Sequence, residues 1–272
     1  MSFFKDKTVL VTGAGGSIGS VLCRKLQEES PKTVIMFDSS ELALYNIDRM
    51  TGQPHFVPVL GDVSDHNDID RLFLKYTFDV IFHAAAYKHV RICEENPGPA
   101  WRVNVDGTNR LVQAAACHSV PRLILISTDK AVRPTCVMGR TKRRAEEIVR
   151  QHNYTTVRLG NVYGSSGSVV PLWKDQIQHG LPVTITHPEA TRYFIEPTDA
   201  ARLILDSAKV AQGGETFVPE MTGPLSVVGV ARMLGAREFK FIGLRTGEKL
   251  HEELFVGERA CTNQPGLWRD VA

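Results

Sequence analysis

Short apolar runs alternate with longer amphipathic stretches from the start of the chain. Thr8–Thr12 reads TVLVT, a β-branched run without a charge. Residues 17–29 follow with Ile18, Val21, Leu22 and Leu26 at helical spacing. The same alternation predicts strands at Thr33–Asp38, 55–60, 79–84, 122–127 and 155–159. Helices are predicted at 41–50, 68–75, 101–118 and 137–152. Strands apolar on both faces belong in a parallel sheet covered by helices. Repeated strand–helix units imply a doubly wound, Rossmann-type α/β fold with right-handed crossovers. After Gly160 the rhythm breaks, and Gly164, Gly167, Pro171, Gly180, Pro182, Pro188 and Pro197 punctuate short elements. Residues 1–160 therefore read as the sheet domain. Residues 161–272 read mainly as a smaller substrate lobe, with room for one segment to return to the sheet. The tail after Gly257 has little periodicity and reads as a loop.

Composition narrows the class. A length of 272 residues suits one large domain, or a domain with a smaller lobe. The 32 basic and 30 acidic residues leave a net charge of +2, which gives no broad electrostatic case for nucleic acid or a membrane surface. No apolar run approaches the ~20 residues a membrane span needs, and the first residues lack a signal-peptide pattern. Five scattered cysteines without a CxxC read as reduced thiols in a cytoplasmic protein. No metal-ligand spacing and no triphosphate-binding P-loop occurs, so no metal is expected.

Thr12-Gly13-Ala14-Gly15-Gly16-Ser17-Ile18-Gly19 lies between the first predicted strand and helix, where a dinucleotide-binding turn belongs. Gly13 suits the tight turn, Gly16 lets backbone approach a pyrophosphate, and Gly19 lets helix and strand pack closely. The amides and dipole of the helix start favour phosphate. Asp38 ends the second strand about 20 residues on, placed to accept hydrogen bonds from ribose hydroxyls. A carboxylate there repels a 2′-phosphate, favouring NAD, while the small polar Ser39 and Ser40 leave NADP open. Asp38 as a mere cap for the next helix is the alternative. Asp62 and Val63 follow the third strand and are placed for the adenine.

The segments TGAGGSIGS, GDVSD, HAAAYKHV, NVDGT, STDKAVRPTCVMGRTK and RLGNVYGSSGSVVP resemble extended short-chain dehydrogenase/reductases. With TRYFI and RTGEKLHEEL, the chain resembles more narrowly the UDP-N-acetylglucosamine 4,6-dehydratases of polysaccharide and glycan biosynthesis. The resemblance covers nearly the whole chain. It implies oxidation at C4 of the sugar, loss of water across C5–C6, and reduction at C6, with the cofactor ending unchanged. Many relatives carry a membrane-anchored N-terminal extension that this sequence does not show. Relatives also often form dimers or rings, so a homo-oligomer is expected.

The resemblance also implies residue roles. Asp129 becomes the general acid to the C6 oxygen, Lys130 the base at C5, and Thr128 a hydrogen-bond partner near O4. Burial is expected to tune Lys130 toward neutrality, as base chemistry requires. The lysine of the usual Tyr-x-x-x-Lys element is present as Lys142, placed for the nicotinamide ribose. Met138 occupies the tyrosine position one helical turn earlier, and methionine moves no proton. The resemblance favours relocation of the oxidation base to Asp129, with Thr128 or a water. The pattern is similar to the subset that retains C5 configuration. Ala84, Ala85 and Ala86 leave room for the cofactor, and Asn104 is expected to support backbone. Lys88, Asn161, the 165–170 stretch with Val169, Arg192, Arg245 and Glu248 are the expected UDP-sugar contacts. Arginine suits diphosphate through its fork geometry, although surface ion pairs remain an alternative for both arginines. Two other functions fit the cofactor motif: a UDP-sugar 4-epimerase, which does not need the Asp129–Lys130 pair, and a non-catalytic NAD(P)-binding regulator, which needs none of Asp129, Lys130 and Lys142.

Overall fold

Strand β1 (Thr8–Thr12) explains why the early strands are apolar throughout. In the computed structural model, which describes residues 2–221 and 223–271, Val9 and Val11 enter one core. Leu10 enters a second core on the opposite face. Helices α1 (Gly19–Gln27) and α2 (Glu41–Thr51) cover the first face with Leu22, Leu26, Leu44 and Ile47. Between and after them run β2 (Thr33–Asp38) and β3 (Phe56–Leu60). Helix α3 (His66–Lys75) covers the second face with Ile69, Leu72 and Phe73. Then come β4 (Val80–His83), the short helices α4 (Val90–Glu95) and α5 (Pro97–Trp101), and α6 (Thr108–Cys117). Strand β5 (Arg122–Thr128), helix α7 (Val137–Gln151) and β6 (Thr155–Leu159) complete the pattern. The parallel order β3-β2-β1-β4-β5-β6 is the doubly wound Rossmann arrangement. Ligands of such sheets bind beyond the carboxyl ends of the strands, where the order reverses between β1 and β4.

The helix expected over 101–118 is not one regular helix. Residues Arg102–Gly107 form a π-helical turn between α5 and α6. It points Asn104 inward, where its side chain accepts from Tyr87 N at 2.7 Å and donates to Tyr87 O at 2.9 Å. A wide turn of this kind is a familiar way to insert one side chain into a functional region. Amphipathic spacing does not reveal it, because the flanking helices keep their apolar faces.

Beyond β6 the chain builds short pieces: β7 (Asn161–Val162), α8 (Val169–Gln178), β8 (Val183–Ile185), β9 (Thr191–Arg192) and β10 (Phe194–Ile195). Helix α9 (Pro197–Val210) returns to the first sheet face, burying Ala200, Ala201, Leu203 and Ile204 beside α1. Strand β11 (Thr216–Pro219) pairs parallel with β6. Next come β12 (Leu225–Ser226), α10 (Val227–Met233) and β13 (Phe239–Phe241). Val170, Trp173, Val183, Ile185, Val227 and Val230 form a separate small core.

The tail corrects the expectation of a loop. β14 (Glu258–Cys261) and β15 (Leu267–Val271) form an antiparallel pair, and β15 lies antiparallel against β11. The sheet therefore has nine strands among the described residues. Its inward tail position is the charged Asp270, so hydrophobic alternation is lost there. No described helix is long and apolar enough to cross a membrane.

Candidate active site

The glycine turn leaves β1 through Gly13, whose φ is +66° and whose absent Cβ would meet Ala85 N at 2.7 Å. Only glycine fits both conditions. Gly15 and Gly19 are packing positions, since a Cβ would strike Ala43 Cβ at 2.5 Å and Gly13 O at 2.1 Å. Gly16 differs. Its Cβ would meet only Gly13 O, at 3.1 Å, while the residue lines open space. A side chain there would fill a cleft rather than collide with a core. Helix α1 has Ile18 at its N-cap position and no side-chain cap, although Ser20 N in its first turn donates to Gly16 O at 3.0 Å.

Asp38 ends β2 beside this turn. Its Oδ2 accepts from Gly15 N at 2.9 Å and its Oδ1 from Ser40 N at 2.9 Å. Ser40, not Asp38, caps α2 through Ala43 N. A cavity of about 210 Å³ is lined by Asp38, Ser39, Asp62, Val63, Ala84, Ala85 and Ala86 together with Gly13 and Gly16.

A buried hydrogen-bond chain holds the floor of the cleft. Thr108 Oγ1 donates to Asn104 O at 2.7 Å, so it accepts from His83 Nε2 at 2.9 Å. His83 Nδ1 is then the acceptor for Thr12 Oγ1 at 2.7 Å. That tautomer is a neutral imidazole. Burial, aided by the nearby Lys142 cation, pushes the His83 pKa down to about 3. Thr12 and His83 thus fix the ends of β1 and β4 against each other.

The second cleft, about 940 Å³, runs from the glycine turn into the second lobe. It is lined by Ser17, Ile18, Gly19, Lys88, Thr128, Lys130, Met138, Lys142, Asn161, Val169, Arg192, Arg245 and Glu248. Lys88 Nζ lies 3.5 Å from Ser17 Oγ, which also accepts from Ser166 N at 3.1 Å. Arg245 is exposed, and its amide donates to Glu248 Oε2 at 3.2 Å. Arg192 is buried, with Nη1 donating to Thr191 O and Leu250 O at 2.8 and 3.0 Å.

At the end of β5 the chain turns through a short 3-10 segment, Asp129–Ala131. Asp129 is fully buried and does not line the cleft, which corrects the expectation of direct ligand contact. Its Oδ1 accepts from Thr128 Oγ1 at 2.7 Å and from Lys130 Nζ at 3.0 Å, and its Oδ2 has no partner. Thr128 and Lys130 therefore stand between Asp129 and the cleft. Lys130 Nζ also donates to Asn161 Oδ1 at 3.2 Å and lies 3.6 Å from Glu252 Oε1. Burial lowers the Lys130 pKa, but the Asp129 and Glu252 carboxylates more than reverse it, and the net direction is upward. The expectation that burial tunes Lys130 toward neutrality is overturned for the free protein. Lys142 is the lysine so tuned. Burial brings its pKa down to about 8 against the pull of Glu146, and its Nζ donates to Ile126 O at 2.6 Å.

Met138 and Lys142 both come from the first turns of α7. Cys136 caps that helix by accepting from Gly139 N through Sγ at 3.2 Å, and Met138 is buried at the cleft wall. Glu252 was not singled out from the sequence. It stands four residues after Glu248 in RTGEKLHEEL, but 122 residues separate it from Lys130 and no local pattern reports that contact.

The sheet order, the glycine turn, the acid closing β2 and the STDK turn at the end of β5 define an extended short-chain dehydrogenase/reductase. The family described as "Polysaccharide biosynthesis protein" matches residues 9–266, and the chain belongs to that family. The capsular polysaccharide biosynthesis protein CapD of Staphylococcus aureus is 43% identical over 269 residues, covering 92% of this chain and 45% of that protein. EpsC of Bacillus subtilis is matched over 45% of its length as well, so the chain spans less than half of these two relatives. A UDP-N-acetylglucosamine 4,6-dehydratase (inverting) of Campylobacter jejuni is 33% identical over 92% of this chain and 77% of that one. A UDP-glucose 4-epimerase of Rickettsia canadensis is 34% identical over 94% and 79%. Among solved structures, Pen from Bacillus thuringiensis superposes with a TM-score of 0.89 at 30% identity, over 98% of this chain and 88% of that one.

Proposed function

We propose that the chain is a nucleotide-sugar 4,6-dehydratase. It converts UDP-N-acetylglucosamine to a UDP-4-keto-6-deoxy-N-acetylhexosamine, with C5 configuration retained, using NAD. The observation that carries this reading is the Thr128–Asp129–Lys130 cluster, a hydroxyl, a buried carboxylate and an ammonium joined at the wall of one cleft. Binding alone gives no reason to bury such a set.

The open floor at Gly16 and the uncapped start of α1 fit a dinucleotide. Gly13, Gly15, Gly16, Ser17, Ile18 and Gly19 would hold its phosphates, and Asp38 and Ser39 its ribose. Asp62 and Val63 would meet the adenine, and Ala84, Ala85, Ala86 and Lys142 the other end. Bound NAD(P) supplies a reversible hydride acceptor for C4, and the resulting 4-ketone acidifies the C5 proton. Thr128 Oγ1 takes the C4 hydroxyl proton as it passes its own to Asp129 Oδ1. The same route returns a proton to the leaving C6 oxygen. Lys130 takes the C5 proton and, after water has left, returns to C5 one of its three exchangeable ammonium protons. Met138 supplies an apolar wall, and Lys142 an ammonium at the cleft wall. Lys88, Asn161, Val169, Arg192, Arg245 and Glu248 hold the UDP-sugar.

Loss of the Asp129 carboxylate charge as it takes the C4 proton removes one of the two charges that hold Lys130 protonated. Oxidation at C4 and readiness of the C5 base are thereby linked.

The test is incubation with UDP-N-acetylglucosamine and NAD in deuterated water, followed by proton NMR. The expected result is a new C6 methyl signal with deuterium at C5. A C4-inverted sugar without a methyl would replace this reading with an epimerase. Separately, Asp38→Ala is expected to weaken NAD more than NADP, by about tenfold for loss of a charged hydrogen-bond acceptor. Titration of both cofactors checks this, and equal losses would reduce Asp38 to a support for the Gly15 amide.

A further inference from the structure

Lys130 Nζ has three neighbours that accept hydrogen bonds or attract charge: Asp129 Oδ1, Asn161 Oδ1 and Glu252 Oε1. An ammonium has three N–H donors and no acceptor, so this surround is complementary to the charged amine. The amide of Asn161 takes up no proton and Asp129 is engaged with Thr128, which leaves Glu252 as the neighbour not otherwise occupied. The Glu252 side chain is only 3% exposed, and its Oε2 has no partner.

The segment carrying Glu252 is pinned on several sides. Thr135 Oγ1 donates to Gly247 O at 2.8 Å and Lys249 Nζ to Val132 O at 2.7 Å. Arg192 holds Leu250 O, Arg158 Nη1 donates to Leu254 O at 2.8 Å, and Arg133 pairs with Glu253. Three of these anchors, Val132, Arg133 and Thr135, directly follow the Asp129–Ala131 turn. The second lobe thus delivers a carboxylate to the end of β5 in a fixed place.

We propose that Glu252 is a positioning residue that works through Lys130: it seats the ammonium at the cleft wall and governs when that ammonium gives up a proton. This rests on the reading of Lys130 as the proton-moving group. A carboxylate within about 4 Å favours the charged amine. The cost of burying Glu252 with one oxygen unpaired makes its own charge depend on Lys130, so the two titrate as a pair. Burial raises the Glu252 pKa, which Lys130 opposes. The charged and titratable groups facing the pair are Asp129, Arg192, Lys249 and the Cys136 thiol. Arg192 opposes the charged lysine, so Glu252 offsets a nearby cation as well.

The test measures the titration of Lys130 in the intact, cofactor-loaded protein by competitive acetylation with acetic anhydride and peptide mass spectrometry. In Glu252→Gln, Lys130 is expected to titrate about one pH unit lower and to acetylate about tenfold faster at a pH below both midpoints. Glu252→Met is similar in shape, carries no charge and predicts the same shift, so it serves where the glutamine variant does not fold. Glu252→Asp keeps the charge and is expected to stay closer to wild type than either. For turnover, the acid limb of kcat moves to lower pH with KM for UDP-N-acetylglucosamine little changed. An unchanged or raised Lys130 midpoint in both charge-free variants overturns the proposal. Acetylation needs no turnover, so a lowered midpoint in a protein inactive toward the UDP-sugar supports the Glu252 assignment and sinks the dehydratase reading instead.

Discussion

Lys130→Met is expected to lower dehydration by about 10²- to 10⁴-fold, the usual loss on removing a positioned acid–base group, while cofactor binding stays intact. Methionine keeps an unbranched stem of similar reach, so the cleft wall is nearly preserved. It carries no proton, so C5 is neither deprotonated nor reprotonated. The glycine turn, Asp38 and the Thr12–His83–Thr108 chain make no hydrogen bond to Lys130, and the cofactor half stays as it is. The change leaves Asp129 and Glu252 buried without their cation, and proton uptake by Glu252, whose pKa burial raises and Lys130 opposes, is the expected relief. Proton NMR of the product and the cofactor content of the same sample check both halves of the prediction. Full turnover in the variant would remove Lys130 from the C5 step.

The parts of this molecule that repeat a rule were legible in the sequence. Fully apolar strands gave the parallel sheet, and the glycine turn and Asp38 located its open end. What stayed hidden falls into two kinds. One is irregular backbone: the π-helical turn at Arg102–Gly107 aims Asn104 inward without disturbing the apolar spacing of its neighbours. The other is buried charge. Arg158 interrupts an otherwise uncharged, buried strand, and Asp270 occupies an inward position of β15; each looks like a break in pattern until the partner is known. At the candidate site, local motifs supplied Thr128, Asp129 and Lys130. The charge state of Lys130 depends on Glu252, far away along the chain, so the expected direction of its pKa was reversed.

The same buried charges make Arg158 a position where one substitution costs the fold heavily. Its side chain is 1% exposed and joins three elements. Nη2 and Nε donate to the Glu146 carboxylate of α7 at 2.8 and 3.2 Å, and Nη1 donates to Asp270 Oδ2 of β15 at 2.7 Å. Glu146 also accepts from Ser127 Oγ at 2.5 Å, next to the Thr128–Lys130 turn, and Asp270 accepts from Val256 N and Gly257 N, each at 2.9 Å. Arg158→Met removes the cation that hydrogen-bonds both acids of that network. Breaking one side of a buried ion pair typically costs about 3–5 kcal/mol, because the remaining charge is left uncompensated. For a chain of this size that corresponds to a fall in Tm of roughly ten degrees, checked by calorimetry or circular dichroism. The pH dependence gives a sharper test. Burial works to raise the Asp270 pKa, but the Val256 amide, Arg158 and the Gly257 amide outweigh it, and the folded value lies below the ordinary 3.8. A depressed folded pKa stabilises the protein above the unfolded value and loses that contribution as pH falls through the folded one. The wild type is therefore expected to lose stability below about pH 4 through this group. In Arg158→Met, Asp270 no longer faces a guanidinium and protonates at higher pH. The gap between the two proteins should be widest at neutral pH and narrow toward pH 4. A gap that stays constant across this range would mean that Arg158 supports the fold by packing its stem rather than by its charge.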